Sequence, residues 1–592
     1  VKILSLQALR GPNYWSTHVP QLIQVRVDVK MDIYSTDWQE SLTLALKPFP
    51  NLMPQNAITE SAKLAEGLAL AALAIQQAAG LNVNFFQIKP TLVPHIYNLV
   101  FEYATEAAGK LAAKLALEFV ENISTGKPDD FVEAGKNVAE THLNEIPTQN
   151  IQSILTKAKE AGIPILKGGD RIPWQLGFGK NGLKIGEATQ WHTIGDEWIE
   201  NQGRIPIIAV TGSNGKTTTT RLIAHFFANA GYNVGFTTSD GIYIGRQMTE
   251  KGDTTGPLSA EIVLRNPDVD FAVLETARGG IVRAGLGFDC CDIGVVTNVQ
   301  EDHLGISDIE TMEDLAGVKS VIIQSVKTDG CAVLNAENPW TVKMGKEAKC
   351  KVAWYAEHAD NEWIQSAFKQ GSAAMFSENG KLVYYDGVNR TDIIDLKDIP
   401  ITFGGTVRFM VQNTLAATLT AAVYGMKPDL IAKSLKSFLP SAEQTPGRMN
   451  IFDFGDKKVM VDFAHNPDGF AGIRDFLKNI DSTQKIGIVV ATGDRKESDV
   501  RELGRLSAEM FDLILIHQVK FLRGKTAEVL VNLLVEGMHS VNPNIKWERV
   551  ADEIEPLGYA LSLARPGSFI TALSDVLDEP TELVKKYKSQ SI

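Results

Sequence analysis

The stretch AVTGSNGKTTTT fills residues 209–220, behind the apolar run RIPII (204–208) and ahead of the helical pattern RLIAHFFANAG (221–231). An apolar strand, a glycine turn closed by Lys-Thr, and a helix, in that order, form the arrangement by which α/β proteins hold nucleotide phosphates. Gly212 and Gly215 let the backbone bend so that its N–H groups can face phosphate oxygens, with Ser213 and Asn214 between them. Lys216 supplies a point charge for the outer phosphates, and Thr217 or Thr218 a hydroxyl for Mg²⁺. The longer G-x-x-x-x-G-K-[ST] form does not fit, because Val210 stands where its first glycine belongs.

Working outward, the runs IPIIAV, NVGFTT, DFAVLET, DIGVVTNV and GCAVLNA are near-continuously apolar and alternate with helical segments. That pattern predicts parallel strands covered on both faces, a doubly wound α/β domain over residues 204–440. SAEQTPGRMN reads as a linker, and KKVMVDFA, KIGIVVATG, LILIHQ and SFITALS predict a smaller, Rossmann-like α/β domain over 441–592. Residues 1–165 mix strand alternation (LIQVRVDVKM) with Ala/Leu-rich helical stretches, an α+β domain; 166–203, rich in Gly, Trp and turn signals, reads as a connector. A chain of 592 residues is expected to hold about three or four domains. The net charge of −13 argues against nucleic-acid or anionic-membrane partners. No apolar run approaches the ~18 residues of a membrane span, and VKILSLQALRGPNYWS lacks the layout of a secretion signal. Four cysteines (Cys290, Cys291, Cys331, Cys350) make no disulfide framework. The expectation is a reduced, cytoplasmic protein.

Further candidates lie at strand ends, where ligands sit in open α/β sheets. Glu275 closes the strand of LETARGG (274–280) and suits Mg²⁺; the alternative is a solvated strand-end carboxylate. Asp302 and His303 in TNVQEDHLG (297–305) follow another strand, and Asn335 in VLNAENP (333–339) offers an amide that could read a base edge. Arg448 in TPGRMN stands at the joint of the two α/β domains, and Asp462, His465 and Asn466 in VDFAHNPDG (461–469) end the first strand of the last domain. An arginine at such a joint reaches the γ-phosphate only when the domains close, which excludes water. A second Gly-Lys-Thr, at 524–526, has no preceding glycine turn after a strand and reads as a helix start.

Taken together, TGSNGKTTTT, LETARGG, NVQEDHLG, VLNAENP, TPGRMN and DFAHNPDG resemble, in order and spacing, the Mur ligase family. TPGRMNIFDFG, GIYIGRQMTEKGDTTGP, LETARGGIVRAGLGFDCCDIGVVTNVQEDHLG and the N-terminal LQALRGPNYWS resemble its cyanophycin synthetase branch. The resemblance implies that Gly212, Ser213, Asn214, Gly215, Lys216, Thr217 and Thr218 hold ATP phosphates. It puts Thr217, Glu275 and His303 around Mg²⁺, with Lys319 as a carbamylated lysine bridging a second Mg²⁺. Asn335 and Asp462 would hold the nucleoside and Arg448 the γ-phosphate. The implied catalytic set is Lys216, Glu275, His303, Lys319 and Arg448.

Two departures from that branch stand out. Its members carry an ATP-grasp domain before the Mur half, whereas here only WHTIGDEWIENQ (191–202) separates the lead-in WQLGFGKNGLKIGEATQ from GRIPIIAVTG. Some members also show an H-x-x-E-H helix; here Lys63 and Gly67 replace the histidines around Glu66, so no catalytic zinc is expected, and the N-terminal domain is read as serving assembly or polymer docking. The implied function is an ATP-dependent amide ligase using ATP and Mg²⁺, joining an amino acid such as arginine to an aspartyl side chain, as a dimer or tetramer. The alternatives are a non-catalytic nucleotide-binding subunit of a cyanophycin-type polymerase, or a Mur ligase for another acceptor.

Overall fold

The strand Ile207–Thr211, buried at every residue, lies between Phe271–Glu275 and Cys291–Val296 in an eleven-stranded sheet. This computed structural model describes all residues except 31–37, 53–58, 125–129, 170–171, 302–303, 305–308, 491–492, 494, 518–524, 552–554, 574–583, 585–586 and 588–592. Parallel pairing continues through Val234–Thr237 on one side and through Val326–Asn335, Lys351–His358 and Ala374–Glu378 on the other. Antiparallel strands finish both edges, Gly241–Ile244 with Gln247–Lys251 and Lys381–Tyr385 with Arg390–Asp395. The β-branched, apolar runs of the sequence are thus the parallel strands, buried on both faces as such strands must be. Strand order reverses at Ile207–Thr211, so its carboxyl end opens a crevice.

The last domain is a six-stranded sheet in the order Asn450–Asp453, Lys458–Asp462, Ser568–Leu573, Gln484–Val489, Leu513–Ile516, Lys546–Arg549, parallel after the first strand. One apolar cluster runs from the large sheet into this domain, from Ile208 and Phe227 through Leu415 and Phe438 to Phe470 and Phe476. Continuous burial of this kind holds the two domains against each other.

At the other end, Lys2–Leu9, Leu22–Asp28, Ile96–Glu102 and Phe86–Pro90 form a four-stranded antiparallel sheet. The helix Glu60–Ala78 packs on this sheet and against the helices Glu106–Ser124 and Phe131–Glu145. Its stretch Leu64–Ile75 is buried throughout, which explains why the sequence there is Leu/Ala on all sides rather than striped. Glu66 is buried in it, and Gly67 lies against Leu42 and Trp38.

The connector is itself folded. Ile165–Leu166, Trp174–Leu176 and Leu183–Ile185 make a three-stranded antiparallel sheet. The helix Gln149–Glu160, which the sequence pattern groups with the N-terminal domain, buries Ile151, Ile154 and Ala158 against Leu176 and Ile185 of this sheet and Ile194 beyond it. The four cysteines are unbridged. Among the described residues no helix is long and apolar enough to cross a membrane.

Candidate active site

The phosphate-type loop fills Gly212–Gly215, between the strand Ile207–Thr211 and the helix Lys216–Asn229. Gly215 has φ +84°, and a Cβ there would lie 2.1 Å from Asn413 Oδ1, so only glycine fits. A Cβ on Gly212 would lie 1.9 Å from Thr297 Oγ1. The loop's first two free amides do not face outward. Ser213 N donates to Asn298 O (3.0 Å) and Asn214 N to Asn298 Oδ1 (2.9 Å). Ser213 and Asn214 also exchange side-chain hydrogen bonds with Gln300. The loop is thereby fastened to the segment after the next strand. What remains for an anion is the head of the helix from Lys216, whose first-turn N–H groups have no intrahelical acceptor. Lys216 Nζ folds back onto Ser213 O at 2.9 Å. Of the two threonines, Thr217 turns its hydroxyl to the site; Thr218 is buried and lines the same cleft.

Thr217 Oγ1 donates to Glu275 Oε1 (3.2 Å) and lies 3.2 Å from Ser239 Oγ. Glu275 is 3% exposed, and its second oxygen, Oε2, meets no hydrogen-bond donor among the described residues. Burial pushes the Glu275 carboxyl above its ordinary range, against the pull of Lys216, the Thr217 hydrogen bond and Arg448. A buried carboxylate with a bare oxygen, ringed by two hydroxyls, is an oxygen-donor set that suits Mg²⁺. Lys319 is buried and lines the same cleft, and its Nζ donates to Gly212 O at 2.7 Å. Asp302 and His303 lie outside the described residues.

The C-terminal domain reaches into this centre. Arg448 Nη2 lies 3.5 Å from Thr217 Oγ1 and 3.4 Å from Ser239 Oγ, with its guanidinium 4.4 Å from the Phe463 ring centroid. Burial holds the Arg448 pKa below its ordinary value, against the Asp462, Glu275 and Asp240 carboxylates. Asn466 caps the helix Pro467–Leu477 through Gly469 N and donates across the domain joint to Asn214 Oδ1 (2.9 Å). Asp462 accepts from Met449 N (2.8 Å) and Ala464 N (2.7 Å), so its carboxylate ties the backbone beside Arg448. Burial raises the Asp462 pKa, and Arg448 and those two N–H groups oppose the rise. His465 Nδ1 lies 2.8 Å from Phe463 O.

These groups line one cleft of about 1280 Å³ between the domains. Asn335 also lines it, with Nδ2 on Thr297 O (3.0 Å) and Oδ1 accepting from Glu337 N (2.9 Å). Its amide is engaged with backbone on both sides. Of the Gly-Lys-Thr at 524–526, Gly524 lies outside the described residues; Thr526 caps the helix Ala527–Val541, and Lys525 Nζ donates to Arg495 O (2.6 Å).

Sequence reasoning missed several contributors. Asn298 and Gln300 lie inside TNVQEDHLG, where the acidic and imidazole side chains beside them carry the stronger chemical signal. Ser239 sits where Arg221, Asp240 and Tyr243 form a closed network: Arg221 Nη2 to Asp240 Oδ2 (2.5 Å) and Tyr243 Oη (2.7 Å), and Tyr243 Oη to Asp240 Oδ2 (2.6 Å). An arginine inside an otherwise apolar helical run, RLIAHFF, was the available signal, since a buried guanidinium demands partners.

The family described as Mur ligase middle domain matches residues 210–421, Mur ligase, glutamate ligase domain matches 447–575, and cyanophycin synthase-like N-terminal domain matches 55–125. The cyanophycin synthetase of Geminocystis herdmanii is 43% identical over 388 residues, 66% of this chain and 44% of that protein. The chain thus matches less than half the length of that relative. The UDP-N-acetylmuramoyl-L-alanyl-D-glutamate--2,6-diaminopimelate ligase of Syntrophomonas wolfei is 26% identical over 62% of this chain and 72% of its own. Among solved structures, E. coli FolC in complex with DHPP and ADP overlaps 65% of this chain and 89% of its own at 16% identity, with a TM-score of 0.48. With two Mur ligase domains in sequence order taking up more than half of its residues, the chain belongs to the Mur ligase family.

Proposed function

We propose that the chain is an ATP-dependent carboxylate–amine ligase of Mur type, joining an amino acid such as arginine to an aspartyl side chain or a similar carboxylate. The observation that carries this reading is the meeting of Arg448, from the C-terminal domain, with Thr217 and Glu275 of the central domain on the floor of one cleft. The cyanophycin synthetase relative supports the choice of substrates.

In this reading the acceptor carboxylate oxygen attacks the γ-phosphorus of ATP. The bond to the leaving ADP oxygen breaks, and an acyl phosphate forms. The substrate amine then attacks the acyl carbon, loses its proton, and inorganic phosphate leaves. Lys216 and Arg448 would carry the charge that builds on the transferring phosphoryl group, from fixed positions that need no reorganisation. Mg²⁺, held by Thr217 and Glu275 and, by family likeness, His303 and a carbamylated Lys319, would neutralise further phosphate charge. Asn214, clamped by Gln300 and Asn466, would keep the loop and the last domain in register. The packed domain joint would keep water from the acyl phosphate. Asn335 and Asp462 would shape the nucleoside end through the backbone segments they hold.

Alternating addition of two amino acids needs two activation sites, and the residues described here form one such cleft. The test is incubation with ATP, Mg²⁺, aspartate, arginine and a short aspartyl primer, read by phosphate release and mass spectrometry. A single kind of condensation, one ATP per bond, is expected. A ladder growing by both residues would overturn the single-site reading, and no amine-dependent phosphate release with any acceptor would overturn the ligase.

A further inference from the structure

The N-terminal domain is fastened to two helices that build the cleft. On one side, the segment after its first strand pairs with the end of the helix Arg278–Ala284: Arg10 N donates to Ala284 O (2.8 Å) and Leu286 N to Pro12 O (2.8 Å). Arg278, Gly279, Gly280, Arg283 and Ala284 of that helix wall the cleft. On the other side, one carboxylate of the helix Met312–Gln324 is shared between two tasks. Asp314 Oδ2 accepts from Thr311 N (3.1 Å) and Thr311 Oγ1 (2.9 Å), completing the capping box that starts the helix. Its Oδ1 accepts from Lys89 Nζ (2.5 Å) and Tyr14 Oη (3.0 Å), both in the N-terminal domain, and Lys89 also donates to Tyr14 Oη (2.7 Å). Burial alone would raise the Asp314 carboxyl; the hydrogen bonds from Lys89 and Thr311 bring it down to about 2. Lys319 follows on the same helix with its Nζ on Gly212 O. At ~100° per residue, Asp314 and Lys319 point about 140° apart. The helix is therefore a spacer, with the N-terminal domain against one side and the phosphate loop against the other.

We propose that the N-terminal domain is a positioning element of the catalytic cleft, in which Tyr14 and Lys89, acting on Asp314, set the helix that holds Lys319 against Gly212. The proposal rests on the ligase reading for its kinetic consequence and on the geometry alone for the coupling. A hydrogen-bonded helix moves as a rigid rod, so a shift of its capped end is carried to Lys319. Misplacement of reacting groups by about an ångström costs about 10²-fold in rate.

The test uses the full chain with Lys89→Met and Tyr14→Phe, separately and together, since neither residue lines the cleft. Asp314→Asn, which keeps an accepting oxygen for the cap and loses the charge, serves as a second route. Hydrogen exchange is read at the amides of 212–218 and 316–322, and kcat and the KM for ATP are read by amine-dependent phosphate release. Expected are faster exchange in both windows, a kcat lower by about tenfold or more with the KM for ATP within about twofold, and recovery in Lys89→Arg. Exchange changes confined to residues 9–16 and 310–315, or an unchanged kcat in the double variant, would overturn the proposal. A wild-type protein without amine-dependent phosphate release would sink the ligase reading instead, and the exchange comparison would still decide the coupling.

Discussion

Replacing Arg448 by Met separates the charge at the domain joint from its packing. Met keeps the aliphatic stem of the side chain and removes the guanidinium, which lies 4.4 Å from the Phe463 ring centroid and 3.4–3.5 Å from the Ser239 and Thr217 hydroxyls. A phosphoryl group at that spot would stand about 4 Å from the cation. At an effective dielectric of about 20, two unit charges at this distance interact by about 4 kcal/mol. Much of that is already present with bound ATP, so only the share gained as charge moves in the transition state appears in kcat. Removing one fixed donor of this kind typically costs about 2.7–4 kcal/mol, or 10²–10³-fold. We expect kcat to fall by about that factor, with a much smaller change in the affinity for ATP. Arg448→Lys, which keeps a charge but not the planar fork, should lose about tenfold. The assay is phosphate release at saturating ATP and amine, alongside nucleotide binding measured by competition. A Met variant within about threefold of wild-type kcat would refute the assignment, since a cation in contact with the transferring group cannot be that cheap to remove.

Lys216→Ala should abolish ATP turnover and leave the fold intact, because its Nζ donates to Ser213 O at the loop and belongs to no apolar core; circular dichroism and phosphate release together check this. Lys319→Ala should be nearly as damaging and should not be rescued by high bicarbonate, whereas an ordinary helix lysine would leave turnover at the wild-type level. Glu275→Gln should lose Mg²⁺-dependent turnover yet gain stability near neutral pH. The folded-state pKa of Glu275 is raised by burial above the usual 4.5, so the protonated form is favoured in the fold. Its stabilising share is complete below that value and lost as pH rises through the folded pKa. Denaturation followed from pH 4 to 8 should therefore show the Gln variant gaining on wild type as pH rises, and a gap that shrinks with pH would contradict the assignment.

The local signals in this chain were strong wherever physics is local. Parallel strands buried on both faces must be apolar runs, so Ile207–Thr211, Phe271–Glu275 and Cys291–Val296 are legible one by one. A phosphate turn needs its glycines and its lysine within a few residues, and Gly212 to Thr217 carry that signature in the open. Strand ends then nominate Glu275, Asn335 and Asp462, since crevices form there. What no window of sequence contains is the contact between segments. Thr217 was one of two threonines until its hydroxyl met Glu275, 58 residues on, and Arg448, 231 residues on. The loop amides looked available until Asn298 took two of them. The helix Gln149–Glu160 has an amphipathic face but no label saying which domain covers it; burial against Leu176 and Ile185 decided that. Tyr14 meets Asp314 across 300 residues. Backbone propensity and burial pattern are fixed by near neighbours along the chain, but a polar side chain acquires its role only from the partner that folding brings to it, and that partner is set by the packing of whole domains.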